Sequence, residues 1–307
     1  MIEAHQLTRR FGKRTAVEDL SFEARAGEVL GLLGPNGAGK TTTIRMLAGI
    51  IAPSSGTASV LGMDPARSPE RVHERIGLLT EAPGFYERLS ARRNLTYFAG
   101  FYPGLQVGRA VDEQLRLMGL GDRAGDKVGT FSKGMKQRLA LARTLLHEPD
   151  VLFLDEPTAG LDPEAAKELR ELILRLRSQG RSILLSTHNL SEAEALCDRI
   201  AVFHSRLVAL DTPQALRDRQ FAPRVRVAIG NLSDAMVKAL AEDAWVDEVS
   251  MCPDERSTLI VRLADVDRDR PKLVARLVEL GADVLTLQVE ERSLEEVYLS
   301  LVGEGES

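Results

Sequence analysis

Residues Gly34-Pro35-Asn36-Gly37-Ala38-Gly39-Lys40-Thr41 fit the pattern G-x-x-x-x-G-K-[ST], after an apolar run at 29–33 and before a helix-compatible stretch reaching Leu47. The spacing has a chemical reason. Glycines let backbone N–H groups close around a phosphate, and the start of a helix adds partial positive charge. Lys40 is then placed to reach the β- and γ-phosphates of ATP, and the Thr41 hydroxyl to ligate Mg²⁺. Thr42 joins this group of candidate nucleotide contacts. A second acidic element lies far downstream, where Asp155 ends the apolar run 151–154 and Glu156 follows it. Asp155 can hold Mg²⁺ directly or through water. Glu156 can orient the attacking water or accept its proton.

The elements that must position these groups follow from periodicity. Residues 2–7 and 21–30 are predicted to be short strands, separated by a turn rich in glycine and basic residues. The cluster Arg9, Arg10, Lys13 and Arg14 reads as a solvated turn. Residues 52–56, Ala-Pro-Ser-Ser-Gly, close the helix that follows the phosphate loop. From about 83 to 148 the pattern is helical, with Val111, Leu115 and Met118 at i, i+4, i+7 and Leu139, Ala142 and Leu146 at i, i+3, i+7. Pro149 stops that second helix near His147. A helix over 164–178 carries Ala165, Leu169, Leu172 and Leu176 on one face, with Gly180 just past its end. Residues 182–186 form another buried strand, and Ser191-Glu192-Ala193-Glu194 reads as a capping box. Strands alternating with helices argue for an α/β core around a mostly parallel sheet, interrupted by a helical insertion.

Past Thr212-Pro213, an N-cap and first-turn proline, the pattern changes. Val225, Val227 and Ile229 alternate like a strand. A helix over 233–242, strands over 246–251 and 257–263, a helix over 269–280 and a strand over 283–289 give β-α-β-β-α-β, the ferredoxin-like order. A last helix, opened by the capping box Ser293-Leu294-Glu295-Glu296, places Leu294, Val297, Tyr298 and Leu301 on one face. The domain boundary is expected near 215–223.

Bulk properties narrow the class. With 307 residues the chain suits two domains, at about 150 residues each. Apolar residues make up 44% and charged ones 28%, enough for a proper core. A formal net charge of −5 does not advertise a nucleic-acid partner. Cys197 and Cys252 lack metal-ligand spacing, which suits a reduced, cytoplasmic protein. No signal-peptide core opens the chain, and no apolar run approaches the ~20 residues of a spanning helix. Any membrane role is expected to depend on a partner.

Residues 131–138, Phe-Ser-Lys-Gly-Met-Lys-Gln-Arg, resemble the L-S-G-G-Q signature of ABC-transporter nucleotide-binding subunits, and the resemblance runs through nearly all of 1–215. It implies a RecA-like P-loop NTPase core with an antiparallel β subdomain and a helical subdomain at about 83–148. Residues 222–303 resemble the accessory domain of the export-type subfamily. In such subunits Ser132 and Gly134 open a helix that meets the γ-phosphate held by the paired subunit, so a head-to-tail homodimer, or a heterodimer with a similar ATPase subunit, is implied. Residues 159–162 look like the loop that crosses the dimer seam and ends in Asp162. His188 looks like the switch histidine, and Phe11 takes the position of the aromatic stacked on adenine. Glu81 replaces the usual glutamine at the head of the helical subdomain, where a carboxylate can still ligate Mg²⁺. Lys133 and Met135 depart from the signature as they do in subunits serving drug, antibiotic, sodium or lipid efflux permeases.

The expectation is therefore an ATP-hydrolysing subunit on the cytoplasmic face of the membrane, driving export through a separate transmembrane permease subunit. The alternative is a soluble ABC ATPase acting on ribosomes or DNA. Ribosome-acting members usually carry two cassettes and DNA-acting ones a long coiled coil, whereas this sequence has one phosphate loop and no sustained heptads. A binding-only regulatory subunit would be expected to lack Glu156 or His188.

Overall fold

The computed structural model describes residues 1–220, 224–252, 255, 257–290 and 294–303. Its first two strands, β1 (Ile2–Phe11) and β2 (Arg14–Ala24), form one long antiparallel hairpin turned at Gly12, which sits at φ 58. The two short strands expected at 2–7 and 21–30 are corrected by this pairing. Arg9 and Arg10 remain in the ladder opposite Val17 and Thr15, so the basic stretch extends the strand rather than ending it. After β3 (Val29–Leu33) and α1 (Lys40–Leu47), β4 (Ser55–Val60) pairs with β1 and completes a sheet ordered β2-β1-β4.

The insertion between α2 (Pro69–His73) with β5 (Ile76–Leu79) and the acidic strand holds α3 (Ala91–Ala99), α4 (Val107–Leu117) and α5 (Lys133–Thr144). Val111, Leu115 and Met118 are all buried, as their spacing predicts. The chain then alternates through β6 (Val151–Asp155), α6 (Pro163–Ser178), β7 (Ser182–Thr187), α7 (Leu190–Leu196), β8 (Arg199–His204) and β9 (Arg206–Asp211). The large sheet runs β5-β6-β7-β3-β8-β9, parallel except for β9. Strands β3, β6 and β7 are buried at every position, which a sheet covered on both faces requires. One apolar core joins the two sheets and α1, with Leu7, Leu20, Leu32, Ile44, Phe153 and Phe203 among its members. The loops at the carboxyl ends of β3, β6 and β7 therefore start from rigid, adjacent strands, the usual place for a ligand in an open α/β sheet.

Two local expectations are corrected. In α6 the buried face is Ala166, Leu169, Leu172, Ile173 and Leu176, with Ala165 only half-buried where its N–H meets the Asp162 cap. In α7 the cap is Asn189, whose side chain accepts from Glu192 N; the run at 191–194 is interior to the helix.

The chain divides into two compact units, Met1–Pro213 and Gln214–Ser307. The second holds most of α8 (Pro213–Gln220), then β10 (Arg224–Ile229), α9 (Asp234–Ala241), β11 (Val246–Met251), β12 (Thr258–Leu263), α10 (Val266–Glu279), β13 (Val284–Glu290) and α11 (Leu294–Gly303). Its antiparallel sheet is ordered β11-β12-β10-β13, the ferredoxin-like arrangement, around Val225, Val227, Leu259, Val261, Leu273 and Leu277. Helix α10 begins three residues before the expected 269 because Asp265 accepts from Arg268 N and caps it. Leu294 and Val297 of α11 are buried. Ser293, the expected start of its capping box, and the Leu301 side chain lie outside the described residues.

Within the helical insertion Asn94 is fully buried, accepts from Tyr86 N, and donates to Tyr86 O and Ser90 O. Asn94→Ala is expected to strip partners from these backbone groups and to lower the stability of the first unit by about 1–3 kcal/mol. The measurement is the denaturation midpoint of that unit at unchanged slope.

Candidate nucleotide site

The loop from Gly34 to Gly39 joins β3 to α1 under tight constraint. A Cβ at Gly34 would lie 2.2 Å from Phe203 O, and one at Gly39, where φ is 105, would lie 2.3 Å from Ala16 O. Only glycine fits these two positions. Lys40, the first residue of α1, is 6% exposed and donates to Gly34 O (2.7 Å) and Pro35 O (3.2 Å) of its own loop. Next to it, Thr41 Oγ1 donates to Asp155 Oδ1 at 3.0 Å. Asp155, 3% exposed at the end of β6, receives a second hydroxyl from Ser186 at 2.6 Å.

Glu156 turns sharply out of β6 at φ 50, an uncommon conformation for a non-glycine residue. Its N–H holds that turn by donating to Ser186 O and Ser186 Oγ, both at 3.1 Å. The carboxylate then meets two cations or donors. His188 Nδ1 donates to Oε2 at 2.8 Å, and Lys40 Nζ lies 3.3 Å from Oε1. Oε1 is buried and accepts no hydrogen bond from the described protein groups, so a lone pair stays open beside the phosphate loop. Such an acceptor can take a proton from water.

Behind His188, a buried glutamate organises the segment. Glu192 accepts from Thr187 Oγ1 at 2.5 Å and from Thr158 Oγ1 at 2.7 Å, tying the residues after β6 to those after β7. Sequence reasoning missed Ser186, Thr158, Thr187 and Glu192. Their signal was a set of hydroxyls at or just past strand ends and one acid in the first turn of α7, which is indistinguishable from ordinary polar composition until the strands are aligned.

A cleft of about 590 Å³ opens at this loop, lined by residues 36–42 and by Phe11, Arg14, Glu81, Glu156 and His188. Phe11 is 47% exposed, with the Arg9 guanidinium 4.6 Å from its ring centre. Ser132, Gly134 and Asp162 do not line this cleft. Ser132 Oγ caps α5 by accepting from Met135 N, and Asp162 Oδ1 caps α6 by accepting from Ala165 N. The two helix starts touch, because a Cβ at Gly134 would lie 2.9 Å from Ala165 Cβ. Gln137 Nε2 donates to Pro157 O, so α5 is bonded to the chain just beyond Glu156.

Residues 17–159 match the ABC transporter family model. The bacitracin transport ATP-binding protein BcrA of Bacillus licheniformis is 37% identical over 306 residues, covering 99% of this chain and 98% of that protein. This chain is an ABC transporter ATP-binding subunit. The linearmycin resistance ATP-binding protein LnrL of Bacillus subtilis is 33% identical, again over 99% of this subunit and 98% of the relative. A solved ATP-binding subunit of an ABC transporter superposes with a TM-score of 0.65 at 34% identity, over 71% of this chain and 92% of that one. A dimeric cassette in a post-hydrolysis state shares the fold at 21% identity and a TM-score of 0.63, over 69% of this chain and 98% of that one. The subunit is an ATPase that binds ATP, and members of its family dimerise and pair with membrane permeases. Among the described residues no helix is long and apolar enough to cross a membrane. The family and fold expected from the two glycine-containing motifs hold.

Burial pushes the Glu192 carboxyl above its ordinary value, against the pull of its two threonine partners. A raised acid binds its proton more tightly in the folded chain, so its ionisation costs stability as pH rises through the ordinary value and into the raised one. Glu192→Gln keeps acceptors and donors that threonine hydroxyls can match. The variant is expected to gain stability over the parent at pH 7–8 and to lose that gain below about pH 4, near the ordinary glutamate value. Paired thermal melts across that range are the measurement.

Proposed function

We propose that this subunit hydrolyses MgATP to drive export of a drug- or antibiotic-like compound through a separate membrane permease, acting as a head-to-tail pair of cassettes at the cytoplasmic face. The observation that carries the catalytic reading is the single cluster in which Lys40, Thr41, Asp155, Glu156 and His188 meet at the ends of adjacent strands. Export is supported by the two relatives matched over nearly their whole length, which are named for bacitracin transport and linearmycin resistance.

In this reading the amides of 34–42 and the Lys40 ammonium grip the β- and γ-phosphates, while Phe11 stacks on the base. The hydroxyl of Thr41 and the carboxylate of Asp155 form a hard-oxygen pair suited to Mg²⁺, with Glu81 on the same cleft as a third oxygen donor. Among the described residues no cluster of three or more acidic, histidine or cysteine ligands forms a cage. That fits an ion which takes its remaining ligands from phosphate and water. When bound, the metal offsets negative charge on the phosphate oxygens. Glu156 accepts the proton of the attacking water through Oε1, while the water oxygen forms its bond to the γ-phosphorus. The bond from that phosphorus to the bridging oxygen breaks, and ADP leaves with the electron pair. His188 orients the carboxylate by its hydrogen bond to Oε2.

Ser132, Gly134 and Asp162 complete the site of the paired chain, a role supported by their position outside their own chain's cleft. The cassette is assigned to 1–215 and an accessory domain to 222–303. The permease contact is assigned to an aromatic groove of about 210 Å³ lined by Ile50, Phe98, Phe101, Tyr102 and His147. Phe101 is 65% exposed and stands edge-on to Tyr97 at 5.3 Å, an apolar patch that suits a short helix of a membrane subunit.

Glu156→Gln is expected to lower turnover by roughly 10²–10⁴-fold while ATP still binds. Size-exclusion chromatography should then show a nucleotide-dependent dimer. Lys40→Ala should lose ATP binding itself, because the loop amides only partly match the phosphate charge. Parent-like turnover in the first variant, or parent-like affinity in the second, overturns the site. Phe101→Asp should keep the ATPase activity of the isolated subunit and lose co-purification with the permease from solubilised membranes.

A further inference from the structure

The basic cluster around the β1–β2 turn does not behave as one solvated group. Lys13 is exposed and does not line the cleft. Arg9 folds back, donating from Nη1 to Ala52 O at 2.7 Å while its guanidinium lies over Phe11. Arg14 does something different. It lines the nucleotide cleft together with Phe11 and Gly37, and its Nη2 donates to Gly37 O at 3.5 Å. Among the described residues no carboxylate pairs with it, so its permanent charge is spent only on that long contact with a carbonyl.

We propose that Arg14 is a further nucleotide-binding residue, which donates to the α-phosphate at the base-ward end of the triphosphate. The inference rests on the nucleotide-site reading above and specifies one contact within it. A nucleotide whose base stacks on Phe11 and whose terminal phosphates reach Lys40 must carry its α-phosphate between them. Arg14 stands in that interval, three residues after Phe11 at the start of β2 and against Gly37 in the middle of the phosphate loop. A guanidinium presents two parallel N–H donors to phosphate oxygens, a far stronger pairing than the contact it makes with Gly37 O. Lys40 is committed to the other end of the chain, beside Glu156.

The test is calorimetric titration of the full chain with ATP and with ADP, comparing the parent with Arg14→Ala, Arg14→Lys, Lys13→Ala and Lys40→Ala. Arg14→Ala should weaken ATP and ADP by the same factor, about tenfold, which corresponds to about 1.4 kcal/mol. Arg14→Lys should recover part of the loss, and Lys13→Ala should leave both affinities unchanged. Parent-like binding in Arg14→Ala removes the contact, and an equal loss in Lys13→Ala leaves only long-range charge; either overturns the proposal. A loss confined to ATP moves the guanidinium to the γ-phosphate and overturns the proposal as stated. If Lys40→Ala abolishes binding while Arg14→Ala does not alter it, this inference falls and the nucleotide site stands. If the parent binds neither nucleotide, both fall.

Discussion

One carboxylate oxygen, Asp155 Oδ1, holds the working end of the first unit together. It accepts hydroxyls from Thr41 on α1 and Ser186 on β7 while belonging itself to β6. A buried carboxylate without donors would be costly, and hydrogen bonds to an ionised acceptor are among the stronger ones available. The charge therefore fixes two strands and a helix to a common edge. Glu156 inherits its place from this arrangement. Its N–H bonds to the same Ser186, and that contact sustains a left-handed turn aiming the next carboxylate back toward Lys40. The chemistry of the site is thus a consequence of where β6 and β7 end.

Much of this was legible in the residues because the informative parts are local. The run 34–41 dictates its own backbone, since Gly34 and Gly39 meet neighbouring carbonyl oxygens where any side chain would stand. The buried strands announced themselves as continuous apolar runs, and α4 as a stripe of Val111, Leu115 and Met118. What escaped depends on partners distant in the chain. Glu192 looked like part of a helix cap because Ser191 precedes it, yet Thr158, 34 residues earlier, competes for its carboxylate and Asn189 takes the capping role. Arg9 and Arg10 looked like turn residues because charge and glycine cluster there, but ladder pairing with β2 outweighs local polarity. Ser132 and Asp162 show the converse. Their local role as caps is visible in the fold, whereas the phosphate-facing role proposed for them calls for a second chain.

The second unit obeys simpler rules. Strand β10 alternates buried Val225, Val227 and Ile229 with half-buried residues because its sheet is packed by α9 and α10 on one face. That strict period made its strands easy to read, and its own apolar core allows it to be treated as a module. The ladder between β10 and β13 slips between Ala228 and Ile229, where the register jumps from Thr286 to Val284. The residue passed over is Leu285, which is exposed as a consequence.

Besides the Lys40 and Arg14 side chains, backbone hydrogen bonds fasten the phosphate loop from several sides. Gly34 N donates to Thr187 O, Ser205 N donates to Ala38 O, and Glu18 N donates in turn to Ser205 O. Loops elsewhere open cheaply, but these amides and carbonyls are spliced into the ends of β7 and β8 and the interior of β2. The amide hydrogens of Gly34, Ser205 and Glu18, which make these bonds, exchange with solvent only when the sheet edge they join opens. Their exchange rates should follow the global unfolding free energy of the unit, not the fast fraying typical of glycine-rich turns. The loop proposed to hold the nucleotide is in this way tied to the resistance of the sheet to unfolding.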